Sequence, residues 1–268
     1  MNELTSATNR WSFSRFTALT ETELKALGSE GKTRLGSLLL EPIVQLMLLA
    51  AGLQGLVGNP NDFFHGHSYL MFVLPGLFGL QALQAFSRTM YRTVLDRQWG
   101  MLTIKRLAGA GGAGYAASKI AAPGFAVVCQ VSVMAIAALM LGGAFSARRF
   151  LGAMMITLLA VVFWASLAIV VTAFARDYVV RDTIVKWMML PMSLSAPVFY
   201  PLETAPVYLQ WIARVNPLAY QVQAIRTMLL EGDIGATTLI MATLTVLATI
   251  AATLSVSWGD ALTSEGGR

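Results

Sequence analysis

Two glycine-rich segments have the residue types that hold nucleotide phosphates, but both lie in the wrong context. Residues 26–33 (ALGSEGKT) follow a phosphate-loop pattern with alanine in place of the first glycine, and residues 109–114 (GAGGAG) match the fingerprint GxGxxG. A phosphate loop follows a buried strand, whereas a polar segment precedes residue 26. The fingerprint needs an acidic residue about twenty positions later, and none follows. We expect neither segment to bind a nucleotide, and the second to form a packed turn.

The other reactive side chains form no recognisable catalytic or metal-binding group. His65 and His67 are two residues apart, but no nearby cluster completes a metal site. Cys129 is the single cysteine, so it has no intrachain disulfide partner and is interpreted as a packing residue. We expect no catalytic residue, no metal and no cofactor bound by this chain.

The composition indicates a membrane protein. The chain has 268 residues, of which 56% are hydrophobic and only 12% are charged. Soluble domains carry roughly a quarter charged residues, so a soluble globule of this size could not cover its surface. High apolar content with low charge also excludes intrinsic disorder.

Six apolar stretches are long enough to predict membrane-spanning helices. A span needs about 20 mostly apolar residues, and runs of this length without period-two alternation indicate helices. The stretches are residues 38–58, 69–86, 123–141, 150–174, 183–200 and 234–256. The predicted fold is therefore an all-α membrane protein with six transmembrane helices.

The distribution of lysine and arginine predicts the orientation. Fifteen of the nineteen cations fall in residues 1–37, 88–122 and 175–186 and at Arg268, which all lie on one side of a six-span topology. The positive-inside rule makes this side cytoplasmic. We expect a multi-pass protein of the cell (plasma or inner) membrane with both termini in the cytoplasm. Its segments are a cytoplasmic N-terminal segment (1–37), a transmembrane domain (38–257) and a cytoplasmic tail (258–268).

We do not expect the N-terminal segment to be a secretory signal, because no apolar core follows a short basic stretch. Apolar residues instead punctuate a polar stretch, at Trp11, Phe16, Leu19, Leu24 and Leu27. This pattern predicts an amphipathic helix lying in the membrane interface, with a frayed cytosolic tail as the alternative.

The largest cytoplasmic connection, residues 88–122, contains a second amphipathic segment. Trp99, Leu102 and Leu107 are apolar among flanking charges. A short helix of this kind suits docking into the groove of a partner protein. The alternative is a helix that lies back on the membrane face.

An external segment, residues 200–233, is too apolar for a free loop and too short to span. Asn216 is a good N-cap, Pro217 a good first helical residue and Gly232 a good helix terminator. Pro206 is expected to open a shorter helix that reaches Arg214. We predict short re-entrant or interfacial helices here.

Three motifs make the chain resemble the membrane (permease) subunits of the ABC type 2 exporter family. These are residues 68–77 (SYLMFVLPGL), residues 96–103 (DRQWGMLT), and residues 194–201 (LSAPVFYP) followed by 216–220 (NPLAY) and Arg226. The resemblance runs from about residue 10 to residue 257, and the last motif is the most specific. One departure is that the family usually has a proline–basic turn after the position of Leu107, where this chain has AGAGG.

The resemblance implies partners and roles for particular residues. It implies a dimer with a second permease copy or a homologous permease, and two copies of a cytosolic ABC ATPase that binds the ATP and magnesium. It implies a partner-coupling element at Asp96, Arg97, Trp99, Gly100, Leu102, Arg106 and Leu107. It also implies an external re-entrant signature at Pro197, Phe199, Pro201, Asn216, Pro217, Tyr220 and Arg226. The other expected contact is membrane lipid, and no nucleic acid is expected.

Hypotheses also follow for polar residues in or near the spans. Glu41 and Gln45 lie near or inside the first span, where ionisable residues are costly and often functional, and they are candidates for the transport path. Arg226 is expected to snorkel or to pair with Glu203 or Glu231.

The predicted function is the transmembrane subunit of an ATP-driven exporter for amphipathic or hydrophobic compounds, such as drugs or natural products. The alternative within the family is a permease for polysaccharide or lipid-linked glycan. A self-sufficient secondary transporter is the alternative from another class, and it should show internal repeats and paired intramembrane charges. A membrane-embedded enzyme would need a polar catalytic cluster inside the spans.

Overall fold

The structure is a computed structural model in which all regular structure of the described residues is helical. It describes residues 17, 19–23, 25, 32–54, 68–101, 104–105, 112–172, 174–175 and 178–265. The long helices are α1 (Lys32–Gln54), α2 (Tyr69–Gln98), α3 (Gly112–Met140), α4 (Ala147–Val171), α5 (Tyr178–Ser195) and, after the short α6 (Val207–Val215) and α7 (Pro217–Arg226), α8 (Ala236–Glu265).

Four described helices are long and apolar enough to cross a membrane, namely α2, α3, α4 and the part of α8 up to Val256. In α1 the comparable apolar portion is the shorter stretch Leu38–Leu48. The six-span count therefore stays a prediction, while the all-helical membrane class is confirmed.

Helices α2 and α3 extend into the predicted cytoplasmic connection, residues 88–122. No proline or glycine interrupts residues 87–98, so α2 continues beyond the predicted span to Gln98. Trp99 caps the helix, and Gly100 follows with a φ of 67°, which suits glycine. Gly112 and Gly114, predicted to lie in a packed turn, belong to the first turn of α3 instead. Residues 88–98 and 112–122 of the predicted connection are therefore helical.

Part of the predicted N-terminal amphipathic helix lies within the described residues. Thr17, residues 19–23 and Lys25 are helical. Trp11, Phe16, Leu24 and Leu27 fall outside the described residues, as do His65 and His67.

The core lies between α2 and α4, which make the most extensive helix contact in the described chain. The rings of Phe86 in α2 and Trp164 in α4 meet edge to face, with centroids 6.4 Å apart. The indole Nε1 of Trp164 donates a 2.6 Å hydrogen bond to Oε1 of Gln221 in α7. This bond satisfies two buried polar groups and holds α7 against the main bundle.

The helix boundaries predicted for the external segment are confirmed. Asn216 caps α7, because its Oδ1 accepts a 2.9 Å hydrogen bond from the backbone N–H of Leu218, and Pro217 is the first helical residue. Gly232, with φ of 81°, ends the π-helical turn Thr227–Glu231 that continues α7. Pro206 immediately precedes α6. Whether these helices re-enter the membrane stays a prediction.

Two glycines let the external segment pack directly on α2. A Cβ atom at Gly76 would lie 2.8 to 2.9 Å from Cγ1, Cα and the carbonyl oxygen of Val198. A Cβ at Gly79 would lie 2.7 Å from Cγ2 of Val222 in α7. At Gly76 the obstacle includes backbone, so a side chain there would push residues 197–198 away from the helix.

We expect Gly76→Ala to destabilise the protein by about 1 to 3 kcal/mol, because overpacking against backbone cannot be relieved by a rotamer change. The matched control is Gly124→Ala in α3, where the nearest atom to the new Cβ, Cδ2 of Leu158, is 3.9 Å away. This control should be neutral or slightly stabilising, since alanine is the better helix former. Thermal unfolding in detergent measures both, and equal melting temperatures would contradict the packing described here.

Candidate functional site

Four charged side chains form a buried cluster at the predicted cytoplasmic end of the bundle. The ion cluster consists of Glu23, Asp96, Lys105 and Lys119. Nζ of Lys119 lies 2.7 Å from Oε1 of Glu23 and 2.7 Å from Oδ2 of Asp96. Nζ of Lys105 lies 2.9 Å and 2.8 Å from the same two atoms. The signs alternate around the ring, so every charge has two opposite neighbours.

The lysine side chains of the cluster are buried, so their charges need partners of opposite sign. Only 1% of the Lys119 side chain and 11% of the Lys105 side chain are exposed, and a buried charge without partners is costly. The hydroxyl of Tyr115 donates a 3.1 Å hydrogen bond to Oδ2 of Asp96. Both ammonium groups also lie near the Tyr115 ring, at 5.8 Å and 5.6 Å from its centroid. Tyr115 therefore contacts the ion cluster through both its hydroxyl group and its ring.

The charge of Lys105 persists at neutral pH. Burial is the largest single influence and lowers the pKa of Lys105, but the hydrogen bonds to Asp96 and Glu23 and the negative charges of these two residues together raise the pKa above its usual value. A raised lysine pKa stabilises the folded state at all pH values below the unfolded pKa, and the contribution is lost only as the pH rises through the folded pKa. The ion pairs of the cluster join four separate segments of the chain.

The predicted partner-coupling residues divide into two groups. Asp96 lies in the ion cluster, and Arg97 donates a 3.0 Å hydrogen bond to the carbonyl oxygen of Thr172 at the end of α4. Trp99, in contrast, is 69% exposed at the turn that follows α2. Gly100 provides the positive φ of that turn. Leu102, Arg106 and Leu107 lie outside the described residues.

Arg226 forms hydrogen bonds that the sequence did not indicate. Its Nη2 donates hydrogen bonds to the carbonyl oxygens of Pro197, at 2.6 Å, and Phe72, at 3.3 Å. Its guanidinium carbon lies 4.0 Å from the centroid of the Phe72 ring. The described hydrogen bonds of Arg226 thus go to two backbone carbonyl groups, while Glu203 and Glu231 line the same cavity as Arg226. Arg226 thus joins α7 to α2 and to the end of α5.

Asn216 makes a second junction in the external segment. Besides capping α7, its Nδ2 donates to the carbonyl oxygen of Met192 at 2.8 Å and to Oγ of Ser195 at 2.9 Å. Both acceptors lie in the last turn of α5, where helix carbonyls lack partners within the helix. Asn216 therefore fixes the angle between α5 and α7.

A cavity of about 590 Å³ lies within the external segment. Four of the predicted signature residues line it, namely Pro197, Pro201, Tyr220 and Arg226. The hydroxyl of Tyr220 donates a 2.7 Å hydrogen bond to the carbonyl oxygen of Arg214. Phe199 packs against the hydrophobic core instead.

Glu41 and Gln45 belong to a chain of polar contacts that leads into the bundle. Nε2 of Gln45 lies 3.4 Å from Oε1 of Glu41, and Nε2 of Gln81 donates a 3.0 Å hydrogen bond to Oε1 of Gln45. Glu41 lines a cavity of about 360 Å³ that Glu23 and Lys119 of the ion cluster also line. The polar contacts therefore run from Glu41, at that cavity, to Gln81 in the middle of α2.

The sequence did not predict that Glu23, Lys105 and Lys119 lie together with Asp96. It also did not single out Gln81. The three charges lie far apart in the sequence; Glu23 and Lys119 are separated by 96 positions. A signal did exist for Gln81, because a glutamine amid the apolar residues of a span is costly unless it has a partner.

Comparison with known proteins decides the family. The family model described as ABC-2 type transporter matches residues 15–230, which is most of the chain. The chain belongs to the ABC-2 type transporter family. The family's membrane domain is a permease component, and the resemblance based on the three motifs is confirmed. Nodulation protein J of Sinorhizobium fredii (strain NBRC 101917 / NGR234) is 27% identical over 227 residues, which cover 81% of this chain and 82% of that protein.

We expect Lys119→Met to destabilise this ABC-2 permease by about 3 to 5 kcal/mol, because it leaves Glu23 and Asp96 with one lysine between them. The matched control is Lys25→Met, since Lys25 pairs with Glu21 at 2.7 Å but both side chains are mostly exposed. Exposed pairs contribute little to stability. Thermal unfolding in detergent distinguishes the two variants. Similar melting temperatures for Lys119→Met and Lys25→Met would show that the buried ion cluster contributes no more to stability than an exposed ion pair.

Proposed function

We propose that the chain is the transmembrane subunit of an ATP-driven exporter that moves amphipathic or hydrophobic compounds, such as drugs or natural products, outward. Two copies of a separate cytosolic ABC ATPase bind ATP and magnesium, and two permease subunits form the membrane dimer. The protein lies in the cell membrane with both termini in the cytoplasm. Membership of the ABC-2 family is the observation that carries this proposal.

The exposed Trp99 is the proposed contact with the ATPase. Aromatic side chains that fill a partner's pocket are among the largest contributors to binding energy. Trp99 lies at a turn and directly follows the last residue of α2, Gln98. Two residues before Trp99, Arg97 is hydrogen-bonded to Thr172. The ion cluster holds the residues around this turn from the inside. A displacement of Trp99 by the partner would therefore move α2 as a unit.

The packing of α2 suggests how that movement reaches the outside. The helix has 30 residues and is about 45 Å long at 1.5 Å per residue. The external segment contacts its other half through Gly76 and Gly79, and Arg226 bonds to Phe72 in its first turn. Movement of α2 would therefore rearrange the external cavity, which is the proposed exit.

A permease for polysaccharide or lipid-linked glycan is the second candidate. The observation that favours it is the presence of three glutamines, Gln45, Gln81 and Gln84, around one cavity in the membrane domain. Amide side chains donate and accept hydrogen bonds, as a hydroxyl-rich cargo requires. Both candidates share the same ATPase-driven mechanism.

The exporter proposal is tested by co-expressing the chain with the ABC ATPase encoded nearest to it in its genome. We expect a stable complex whose ATPase activity differs from that of the ATPase alone. Trp99→Ala should weaken the complex by about tenfold or more, as for a central aromatic contact. The matched control is Trp187→Ala in α5, because Trp187 is also exposed, at 78%, but lies far along the chain from the turn.

Two results would contradict the proposal. Failure of the chain to bind the ATPase or to change its activity would remove the exporter assignment. Equal affinity of wild type and Trp99→Ala, with the complex otherwise intact, would remove the coupling role of Trp99 alone.

A further inference from the structure

The cavity in the external segment holds charges of both signs. Its volume of about 590 Å³ falls within the range of about 300 to 1,000 Å³ that ligand-binding cavities occupy. Arg214 and Arg226 line it, and so do Glu203 and Glu231. The other described lining residues are uncharged. The cavity therefore presents two cations and two anions in an otherwise uncharged wall.

These four charged side chains do not neutralise one another. In the described part of the chain, none of them forms an ion pair. Arg226 bonds to two backbone carbonyl groups through Nη2, and its buried Nε has no hydrogen-bond partner among the described residues. A buried donor without an acceptor costs stability, and an acceptor that reached it would recover that cost. The cavity therefore suits a ligand that carries both an anionic and a cationic group.

The two pairs of like charge disfavour ligands with a single kind of charge. The carboxylates repel a purely anionic group, and the guanidinium groups repel a purely cationic one. A guanidinium is well suited to phosphate, because its planar donors match two phosphate oxygens. A carboxylate accepts hydrogen bonds from a primary ammonium. The charges therefore fit phosphoethanolamine, in which a short linker joins a phosphate to a primary ammonium.

The aromatic groups of the cavity do not favour a quaternary ammonium such as that of phosphocholine. A quaternary ammonium donates no hydrogen bond and is bound by cages of aromatic faces. Two aromatic rings are among the described lining residues, Phe72 and Tyr220. The guanidinium carbon of Arg226 already lies over the Phe72 ring, 4.0 Å from its centroid. The carboxylates of Glu203 and Glu231 are better matched to a primary ammonium, which donates three hydrogen bonds.

Helix α6 has the pattern of a helix that lies among lipid headgroups. Tyr208, Trp211, Ile212 and Val215 recur at the spacing of one helix face, and all four are exposed. An exposed apolar face with tyrosine and tryptophan is typical of helices in the membrane interface. Arg214, on the same helix, has its guanidinium carbon 4.5 Å from the centroid of the Trp211 ring and lines the cavity. A phospholipid of the adjacent leaflet can therefore place its headgroup in the cavity while its acyl chains stay in the bilayer.

We propose that the external cavity binds the phosphoethanolamine headgroup of a phospholipid from the adjacent leaflet. The phosphate accepts hydrogen bonds from Arg214 and Arg226, and the ammonium donates hydrogen bonds to Glu203 and Glu231. The headgroup thereby joins α6, which carries Arg214, to α7, which carries Arg226. The lipid is a resident ligand and not the exported cargo, so the inference goes beyond the proposed export function and does not depend on it.

Native mass spectrometry of the delipidated full chain measures this binding. The lipid probes are phosphatidylethanolamine, phosphatidylcholine and phosphatidylglycerol with identical dioleoyl chains, and the soluble probe is glycerophosphoethanolamine. We expect phosphatidylethanolamine to bind about three- to tenfold more tightly than either other lipid, the effect of one or two hydrogen bonds. The soluble probe should bind at least about tenfold more weakly than phosphatidylethanolamine, because it has no acyl chains to bury.

Variants show whether the cavity causes this preference. Arg214→Gln should reduce the affinity for phosphatidylethanolamine by about three- to tenfold. Its matched control is Arg148→Gln, an exposed arginine that does not line the cavity. The double variant Glu203→Gln/Glu231→Gln should reverse the preference in favour of phosphatidylglycerol, because the arginines then face no carboxylate. Its control is Asp233→Asn, and all the substituted residues are exposed, so every variant is expected to fold.

Three results would overturn the site. The first is equal affinity of the wild-type chain for the three lipids. The second is undiminished binding in Arg214→Gln or an unchanged preference in the double variant. The third is equally tight binding of glycerophosphoethanolamine, which would identify a soluble ligand instead of a lipid. The assay contains neither ATP nor ATPase, so a failed ATPase complex with an intact headgroup preference would reject the exporter proposal alone.

Discussion

The cost of holding charge away from water is the constraint on which the rest of the structure depends. The chain has few charged residues for its size, and four enclosed ones among the described residues form one ring of alternating sign, Glu23, Lys105, Asp96 and Lys119. Removing one member of such a ring leaves a buried charge without its partner, which is strongly destabilising. Because these members come from four segments, pairing their charges also fixes the N-terminal segment, the end of α2, the connection after it and the start of α3 relative to one another.

Helix α2 connects the ion cluster to the external segment. Its predicted cytoplasmic end holds Asp96 and Arg97, its middle holds Gln81 and Gln84, and its first turns accept the external segment at Gly76 and Gly79. Most of its residues are buried, so neighbouring helices determine its position along its whole length. A helix of this kind is suited to relating events at one membrane face to the other, which is what the proposed exporter requires.

Local chemistry could be predicted from the sequence, and long-range partners could not. The N-cap at Asn216, the helix start at Pro217 and the helix end at Gly232 depend on neighbouring residues, and all three were predictable. The partners of Arg226 were not, because the carbonyl groups of Pro197 and Phe72 become available only when α5, α2 and α7 meet. The ion cluster was missed for the same reason, since nothing in the spacing of Glu23 and Lys119 indicates that they touch. The extent of α2 was underestimated because the charges at Arg88 and Arg92 resembled the beginning of a loop.

The central claim is that the ion cluster positions the turn that carries Trp99. The most direct test is a double-mutant cycle in which the affinity of the permease for its ATPase is measured for wild type, Glu23→Gln, Lys105→Met and the double variant. Each single variant leaves an imbalance of charge, whereas the double variant retains the pair of Asp96 and Lys119. The account predicts that each single change weakens binding and that the double change costs less than the sum of the two, with a coupling of about 0.5 to 3 kcal/mol. Additive losses, or full affinity in every variant, would contradict it.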